Sequence, residues 1–395
     1  MPPKSKDMGL QNKKVAIIGG GPGGLTLARL LQLKGVDVTV YERDADRSAR
    51  VQGAPLDLHE HSGLAAIRKA GLLEAFKDHY MPEADKTTIT DEQGNVVFSD
   101  HDPDVVREED FGHEYFRPEI DRGALRKILL DSIPPENIIW DCHFLSMEKQ
   151  GGGWLMHFKN GSEAYADLVI GADGANSKIR PYITDINSFY SGITMLEGNI
   201  DNAEQKVPEI AGLLRGGKVM AFGNEKDILM GQKADGVIGF YASFKTEEGW
   251  VSESGLDFSD RSQVLEWFKK AYAEWSDLWY PLFENTSVPF IPRPIRCMPL
   301  DQDWETLPNV TLIGDAAHVM PPFAGEGVNM AMLDALELSE SLTGTGYVSV
   351  HDALASYETA MRKRASVIAS ESLENGERMH DANALSTMTA FFGGR

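Results

Sequence analysis

The chain has 395 residues, 42 % of them hydrophobic, with 38 basic against 60 acidic residues and a net charge of −22. This length supports a large core divided between two sub-domains that share one ligand, while the acidic excess opposes nucleic acid and anionic membrane surfaces as partners. Cys142 and Cys297 stand far apart without metal-ligand spacing, which argues against a disulfide framework and a zinc site and fits a reducing, cytoplasmic setting. The polar, basic start leads into an apolar run too short for a signal-peptide core, and no segment is apolar enough to span a bilayer.

In chain order, "KKVAIIGGGPGGLTLARLLQLKGVDVTVYERD" reads as a short apolar strand, a glycine turn, a helix with Leu25, Leu27, Leu30 and Leu31 inward, and a second strand ending at Glu42. This is a βαβ unit opening a doubly wound parallel sheet. Residues 60–77 and 121–132 have helical texture, and "ADLVIGADGANSKIR" at 166–180 is again strand, turn and helix start. From about 184 to 300 the pattern alternates, as in "KVMAF" at 218–222 and "GVIGFYASF" at 236–244, which predicts a mostly antiparallel sheet interrupted by a helix near 261–275. After "NVTLIGDAAH" the strand-then-helix texture returns, followed by helices over 327–343 and 351 to about 390. The expected fold class is α/β: a doubly wound Rossmann-type domain with an inserted antiparallel sheet and C-terminal helices. The expected boundaries are 1–183 and 301–345 for the nucleotide domain, 184–300 for the sheet domain, and 346–395 for a bridging C-terminal helix.

Gly19-x-Gly21-x-x-Gly24 follows a strand and opens a helix, the context a dinucleotide fingerprint requires. The first glycine permits the tight turn, the second lets backbone approach a pyrophosphate, and the third lets helix and strand pack closely. The helix N-terminus adds unsatisfied N–H groups and partial positive charge. Glu42 stands at the distance where an acid accepts hydrogen bonds from the adenosine ribose. The unit alone does not separate FAD from NAD. Two further turns follow buried strands: "GADGANSKIR" with Asp173, and "GDAAHVMPPFAGEGVNMAMLDA" with Asp315 and His318. Both acids stand where open α/β sheets bind ligands. His318, near an acid, invites a general-base role, but its place at a strand-to-helix turn favours a structural one.

These three motifs, in this order and over this length, resemble the single-component FAD monooxygenases of the 4-hydroxybenzoate hydroxylase type. "VAIIGGGPGGLTLARLLQ", "VYERDADRSARVQGAPLDLHEHSG", "EIDRGALRKILL" and "IGDAAHVMPPFAGEGVN" more closely resemble the tetracycline-inactivating monooxygenases of the TetX type. The resemblance implies FAD as cofactor and NADPH as a transiently docking reductant. It implies reduced flavin capturing O2 as a C4a-hydroperoxide that transfers one oxygen atom to a phenol or enolate, with no catalytic side chain required. It assigns Arg50 to NADPH, Asp57 and Arg122 to FAD, and Asp173 to the region near both, with Asp315 on the ribityl chain. Arg43 beside Glu42, and Pro322, Gly325, Gly327 and Asn329 of the third motif, complete the expected cofactor contacts.

The same resemblance places substrate contacts on the inserted sheet at Glu197, Lys218 and Gly239, where the family has glutamine, arginine and histidine. An arginine fork replaced by a lysine point charge changes bidentate recognition, and the loss of an imidazole removes a polar contact. Met220, Pro321, Phe323 and Gly325 are further candidates for the pocket, and Phe391 or Phe392 either caps it or packs as a helix end. The expected partners are a tetracycline-like or other phenolic polycycle and O2, with the chain a monomer. The alternatives are a halogenase or two-component hydroxylase, the former disfavoured by the lack of a W-x-W-x-I-P tract, and a non-catalytic protein keeping the flavin fold as a scaffold.

Overall fold

A computed structural model describes residue 10 and residues 12–49, 55–82, 84–101, 111–113, 116–233 and 235–393. Five parallel strands form the nucleotide-domain sheet, in the spatial order Val310–Leu312, Leu168–Gly171, Lys14–Ile18, Asp37–Tyr41 and Ile138–Ile139. The central strands are buried valine, isoleucine and leucine runs because helices cover the sheet. Helix Pro22–Gln32 buries Leu25, Leu27, Leu30 and Leu31, as the 3.6-residue period requires. Helix Arg122–Asp131 is capped by Asp121, whose carboxylate accepts from the N–H groups of Gly123 and Ala124.

The second sheet has seven strands, in the order Ile291–Cys297, Phe189–Ile200, Ile238–Lys245, Lys226–Gln232, Lys218–Gly223, Thr87–Asp91 and Val96–Ser99. Its pairings are antiparallel except where Lys218–Gly223 runs parallel to Thr87–Asp91. Residues 87–99 therefore correct the expected unbroken first segment 1–183. A strand's side-chain alternation does not record which sheet it joins, and only the register Lys218↔Thr87 through Phe222↔Asp91 does so. One face, with Leu196, Val219, Ile228, Phe240 and Ala242, packs on helices that include Pro208–Leu214, Arg261–Ala271 and Tyr280–Glu284. The opposite face carries Met195, Glu197, Tyr241, Leu229 and Met220, set by register, and turns toward the nucleotide domain, where Phe323 joins Met195, Tyr241 and Leu229.

The stretch predicted helical over 60–77 is two helices, Gly63–Lys69 and Leu73–Lys77, separated at Gly71 with φ 73°. The C-terminal pattern also divides, into Val350–Met379 and Ala384–Gly393. The longer helix touches both sheets. On the nucleotide side Tyr357 donates to the Leu312 carbonyl (3.0 Å), and buried Glu358 accepts from Trp304, Thr306 and Thr311 at 3.0, 2.6 and 2.8 Å. At its far end His380 meets Ser243 of the large sheet at 2.7 Å, and a Cβ on Gly376 would lie 2.7 Å from the Phe323 ring.

Candidate cofactor and substrate site

Four neighbouring strands of the parallel sheet are in register at Leu312, Gly171, Ile18 and Tyr41. Just beyond their carboxyl ends stand Asp315, Asp173, Gly19 and Glu42, so motifs separated by about 300 residues form one edge. Gly19 has φ 111°, and a Cβ there would collide with the Ala172 carbonyl, so this turn accepts only glycine. A Cβ on Gly24 would strike the Gly19 carbonyl, whereas one on Gly21 would meet no atom within 4 Å. The second glycine thus borders open space at the helix N-terminus, and no side chain caps Gly21. Glu42 is buried; it accepts from the N–H of Gly20 and, at 3.0 Å, from that of Asp44, bracing the turn beside its assigned ribose role. Arg43 is exposed, and Arg50 lies outside the described residues.

Asp173 closes its own turn: one oxygen accepts from Lys178 N (2.7 Å) and Ile179 N (3.3 Å), and burial raises its pKa. Arg180, which the sequence reading missed, ties the second motif to the third. Its Nη1 donates to the carbonyls of Ala316 and Ala317 at 3.0 and 2.7 Å, satisfying groups at the end of the short helix Asp315–His318. Asp315 is solvent-exposed, yet enough protein surrounds it that burial raises its pKa, with His318 and Arg122 opposing. His318 is buried. Its Nε2 lies 2.6 Å from Asp334, which also accepts from Gly314 N at 2.8 Å and from Arg364 at 2.7 Å. Burial alone would lower the His318 pKa, but the Asp334 carboxylate raises it. An imidazole held this way braces the turn.

Asn329 is fully buried and its side chain is consumed by protein. Its Oδ1 accepts from His59 N, Ser62 Oγ and Gly63 N at 2.9, 3.2 and 3.3 Å; its Nδ2 donates to the carbonyls of Asp57 and Gly325 at 2.9 and 3.4 Å. It therefore staples the 57–63 segment to the third motif. His59 adds a second bridge, with Nε2 3.0 Å from Asp57 and Nδ1 2.9 Å from Glu326. Burial would lower the His59 pKa, but these two carboxylates raise it to about 9. Asp57 is held below the usual carboxylate range by His59 and Lys218 against the effect of burial. Gly325 adopts φ 69°, Pro322 is exposed, and Gly327 opens helix Gly327–Thr343, whose N-terminus has no side-chain cap.

The substrate candidates Glu197, Lys218, Met220 and Gly239 share the sheet face turned toward the nucleotide domain. Lys218 is paired with buried Glu119, whose pKa burial raises. Glu197 is buried and paired with Arg293. Above Gly239, Lys233 fills the space a side chain would occupy: a Cβ there would lie 3.2 Å from Lys233 Cε, and Lys233 Nζ donates to Asn199 at 2.7 Å. Met220 is half-buried and packs with Ile89, Phe222 and Met379. Phe392 joins that cluster beside Phe98, while Phe391 is 51 % exposed. Pro321 and Phe323 line a cavity of about 190 Å³ with Ile193 and Leu373. The acids Glu119 and Glu197 decide how the cations are presented, and no local sequence signal pairs them with Lys218 and Arg293.

The open space at Gly21, two uncapped helix N-termini, exposed Asp315 and the backbone at Gly325 and Gly327 fit a dinucleotide whose pyrophosphate takes backbone N–H groups. A doubly wound sheet with this edge and a seven-stranded second sheet facing it is the arrangement of a dinucleotide-binding domain with a second sheet placed over its ligand edge. The chain belongs to the family described as "FAD binding domain", whose model matches residues 12–230 and 303–372. Monooxygenase asqM of Emericella nidulans is 30 % identical over 388 residues, covering 85 % of this chain and 85 % of that protein. Klebsiella pneumoniae HpxO, solved with FAD and uric acid, superposes with TM-score 0.75 at 21 % identity over 98 % of this chain and 93 % of that one. Tetracycline destructase Tet(51) superposes with TM-score 0.70 at 19 % identity over 95 % of each chain. At these identities the solved structures speak for the fold alone.

Proposed function

We propose that this FAD-dependent monooxygenase consumes NADPH and inserts one oxygen atom into an electron-rich phenol or enol of a polycyclic small molecule, with tetracyclines the first class to test. The observation that carries the reading is the alignment of Gly19, Glu42, Asp173 and Asp315 along one sheet edge, opposite a sheet face with Tyr241 and Arg293 against which Phe323 packs. When bound and reduced, FAD supplies the activation of O2. The chain's own residues bind and position. The N–H groups after Gly21 take the pyrophosphate, Glu42 and Asp315 accept from cofactor hydroxyls, and N–H groups at the start of helix Gly327–Thr343 stabilise negative charge on the ring. Phe323, Ile193 and Pro321 exclude water from one wall of the site.

Two further assignments belong to this reading. Arg50 and Arg43 serve the nucleotide, and the substrate lies against the sheet face that carries Glu197 and Lys218. The altered polar positions favour a polycycle whose polar edge differs from that of tetracycline, because a lysine held by Glu119 and a lysine held by Asn199 stand in place of a guanidinium fork and an imidazole. The test is NADPH oxidation by the FAD-loaded protein with and without a tetracycline, followed by mass measurement of the product. A gain of one oxygen atom supports the reading. Unchanged drug with peroxide as the sole product removes tetracycline as substrate, and a purified protein that takes up no FAD removes the enzyme reading altogether.

A further inference from the structure

Asp227 is a buried acid that the cofactor and substrate site does not use. It lies fully buried on strand Lys226–Gln232, and among the described residues neither of its carboxyl oxygens has a hydrogen-bond partner. Ser243 stands directly opposite it on strand Ile238–Lys245 and is also fully buried. His380 reaches both from the end of helix Val350–Met379: its Nε2 lies 2.7 Å from Ser243 Oγ and 3.4 Å from Asp227 Oδ2. Its Nδ1 lies 2.8 Å from the Gly376 carbonyl, which only accepts, so Nδ1 carries a hydrogen and Nε2 is the atom that gains or loses the mobile proton. Two strands and the end of the long helix thus meet at one carboxyl and imidazole pair.

The charged and titratable neighbours are committed elsewhere. Lys245 and Glu377 pair with each other at 2.7 Å, the Tyr272 hydroxyl donates to the Ser243 carbonyl at 2.9 Å, Lys226 stands over the Tyr272 ring, and Asp381 accepts from Asn383 N. Burial pushes Asp227 well above the ordinary carboxylate range and His380 down to about 4, so near neutral pH neither ionises alone in the fold. The pair therefore holds one proton, whichever partner carries it. Released into water, the same two groups hold one proton between about pH 4 and about pH 6.5, and none above that. Docking is hence insensitive to pH over that interval, whereas above it docking takes up one proton and weakens about tenfold per pH unit. What docks here is the C-terminal segment. Residues 380–383 join the long helix to Ala384–Gly393, which packs on the second sheet through Leu385, Met388 and Phe392, and the His380 ring meets Phe323 edge-on at 5.7 Å.

We propose that Asp227 and His380 form a proton-dependent latch that holds helix Ala384–Gly393 and the Phe323 wall of the site in place, closed at mildly acid pH and loosened in alkali. The inference goes beyond the monooxygenase reading and does not rest on it. Its test is hydrogen–deuterium exchange of the purified full-length protein from about pH 5 to about pH 8.5, each rate corrected for the intrinsic pH dependence of exchange. Strand Leu168–Gly171, remote from the latch, serves as the reference for global unfolding. Protection of residues 384–393 is expected to stay level up to about pH 6.5 and then to fall about tenfold per pH unit relative to that strand. Asp227→Asn, which keeps the shape of a neutral acid, should abolish the fall. His380→Gln should move its onset to below about pH 5, because the released segment then has only a carboxyl to deprotonate. The two variants test the pair from opposite sides, so one that fails to fold leaves the other to decide. Wild-type protection that stays level across the whole range, a fall that persists in Asp227→Asn, or an onset unmoved in His380→Gln overturns the proposal.

Discussion

Replacing Asn329 by alanine separates a structural staple from a cofactor ligand. The side chain makes five hydrogen bonds, to His59, Ser62, Gly63, Asp57 and Gly325, and the residue is fully buried. Each intramolecular hydrogen bond contributes about 1 kcal/mol net, and a buried donor left without a partner costs about 1–3 kcal/mol. The contact at 3.4 Å contributes least, and some of the freed groups regain water, so the expected loss is about 3–5 kcal/mol. That is a large share of a typical total of about 5–15 kcal/mol. Urea unfolding followed by tryptophan fluorescence, with FAD absent, reads the loss directly. FAD affinity should fall as well, because the 57–63 segment and the third motif lose their connection. A destabilisation below about 1 kcal/mol with weakened FAD binding would refute the staple and restore direct contact with the cofactor.

The two glycines of the fingerprint should behave in opposite ways. Gly21→Ala, whose Cβ meets nothing within 4 Å, should fold with unchanged melting temperature but bind FAD at least about tenfold more weakly, whereas Gly24→Ala should lose folded protein outright. His59, with its pKa raised to about 9 in the fold, contributes stability that is complete below the unfolded value near 6.5 and lost as pH rises through 9. Thermal unfolding of the wild type should therefore lose up to about 3 kcal/mol between pH 6.5 and 9 relative to His59→Gln; parallel pH profiles would remove the bridge to Asp57 and Glu326. His318→Gln should lower the melting temperature by several degrees while leaving the pH profile of kcat intact; a profile that shifts would return His318 to the role of base. Asp315→Ala should lower FAD affinity without lowering the stability of the FAD-free protein, since Asp315 is exposed, and full retention of FAD would remove its assignment.

The sequence by itself determined the local parts. Glycine spacing, buried valine and isoleucine runs and leucine periodicity are short-range facts, and they specified the βαβ opening, the three turns and helix Gly327–Thr343 at its observed bounds. The fold class followed because strand–helix alternation and strand alternation have different periods. That Glu197, Lys218, Met220 and Gly239 share one sheet face follows from the register between strands, which alternation within a single strand does not record. Only the tertiary structure decided what those side chains do. Asn329 looked like a cofactor ligand but is held on both ends by segments some 270 residues away. Lys218 and Glu197 looked like free polar contacts, yet Glu119 and Arg293 arrive from other strands and pair with them. Residues 87–99 looked like part of the first domain and instead extend the second sheet. Charge pairing and sheet membership depend on which segments meet in space, and a chain read residue by residue carries no local signal of that meeting.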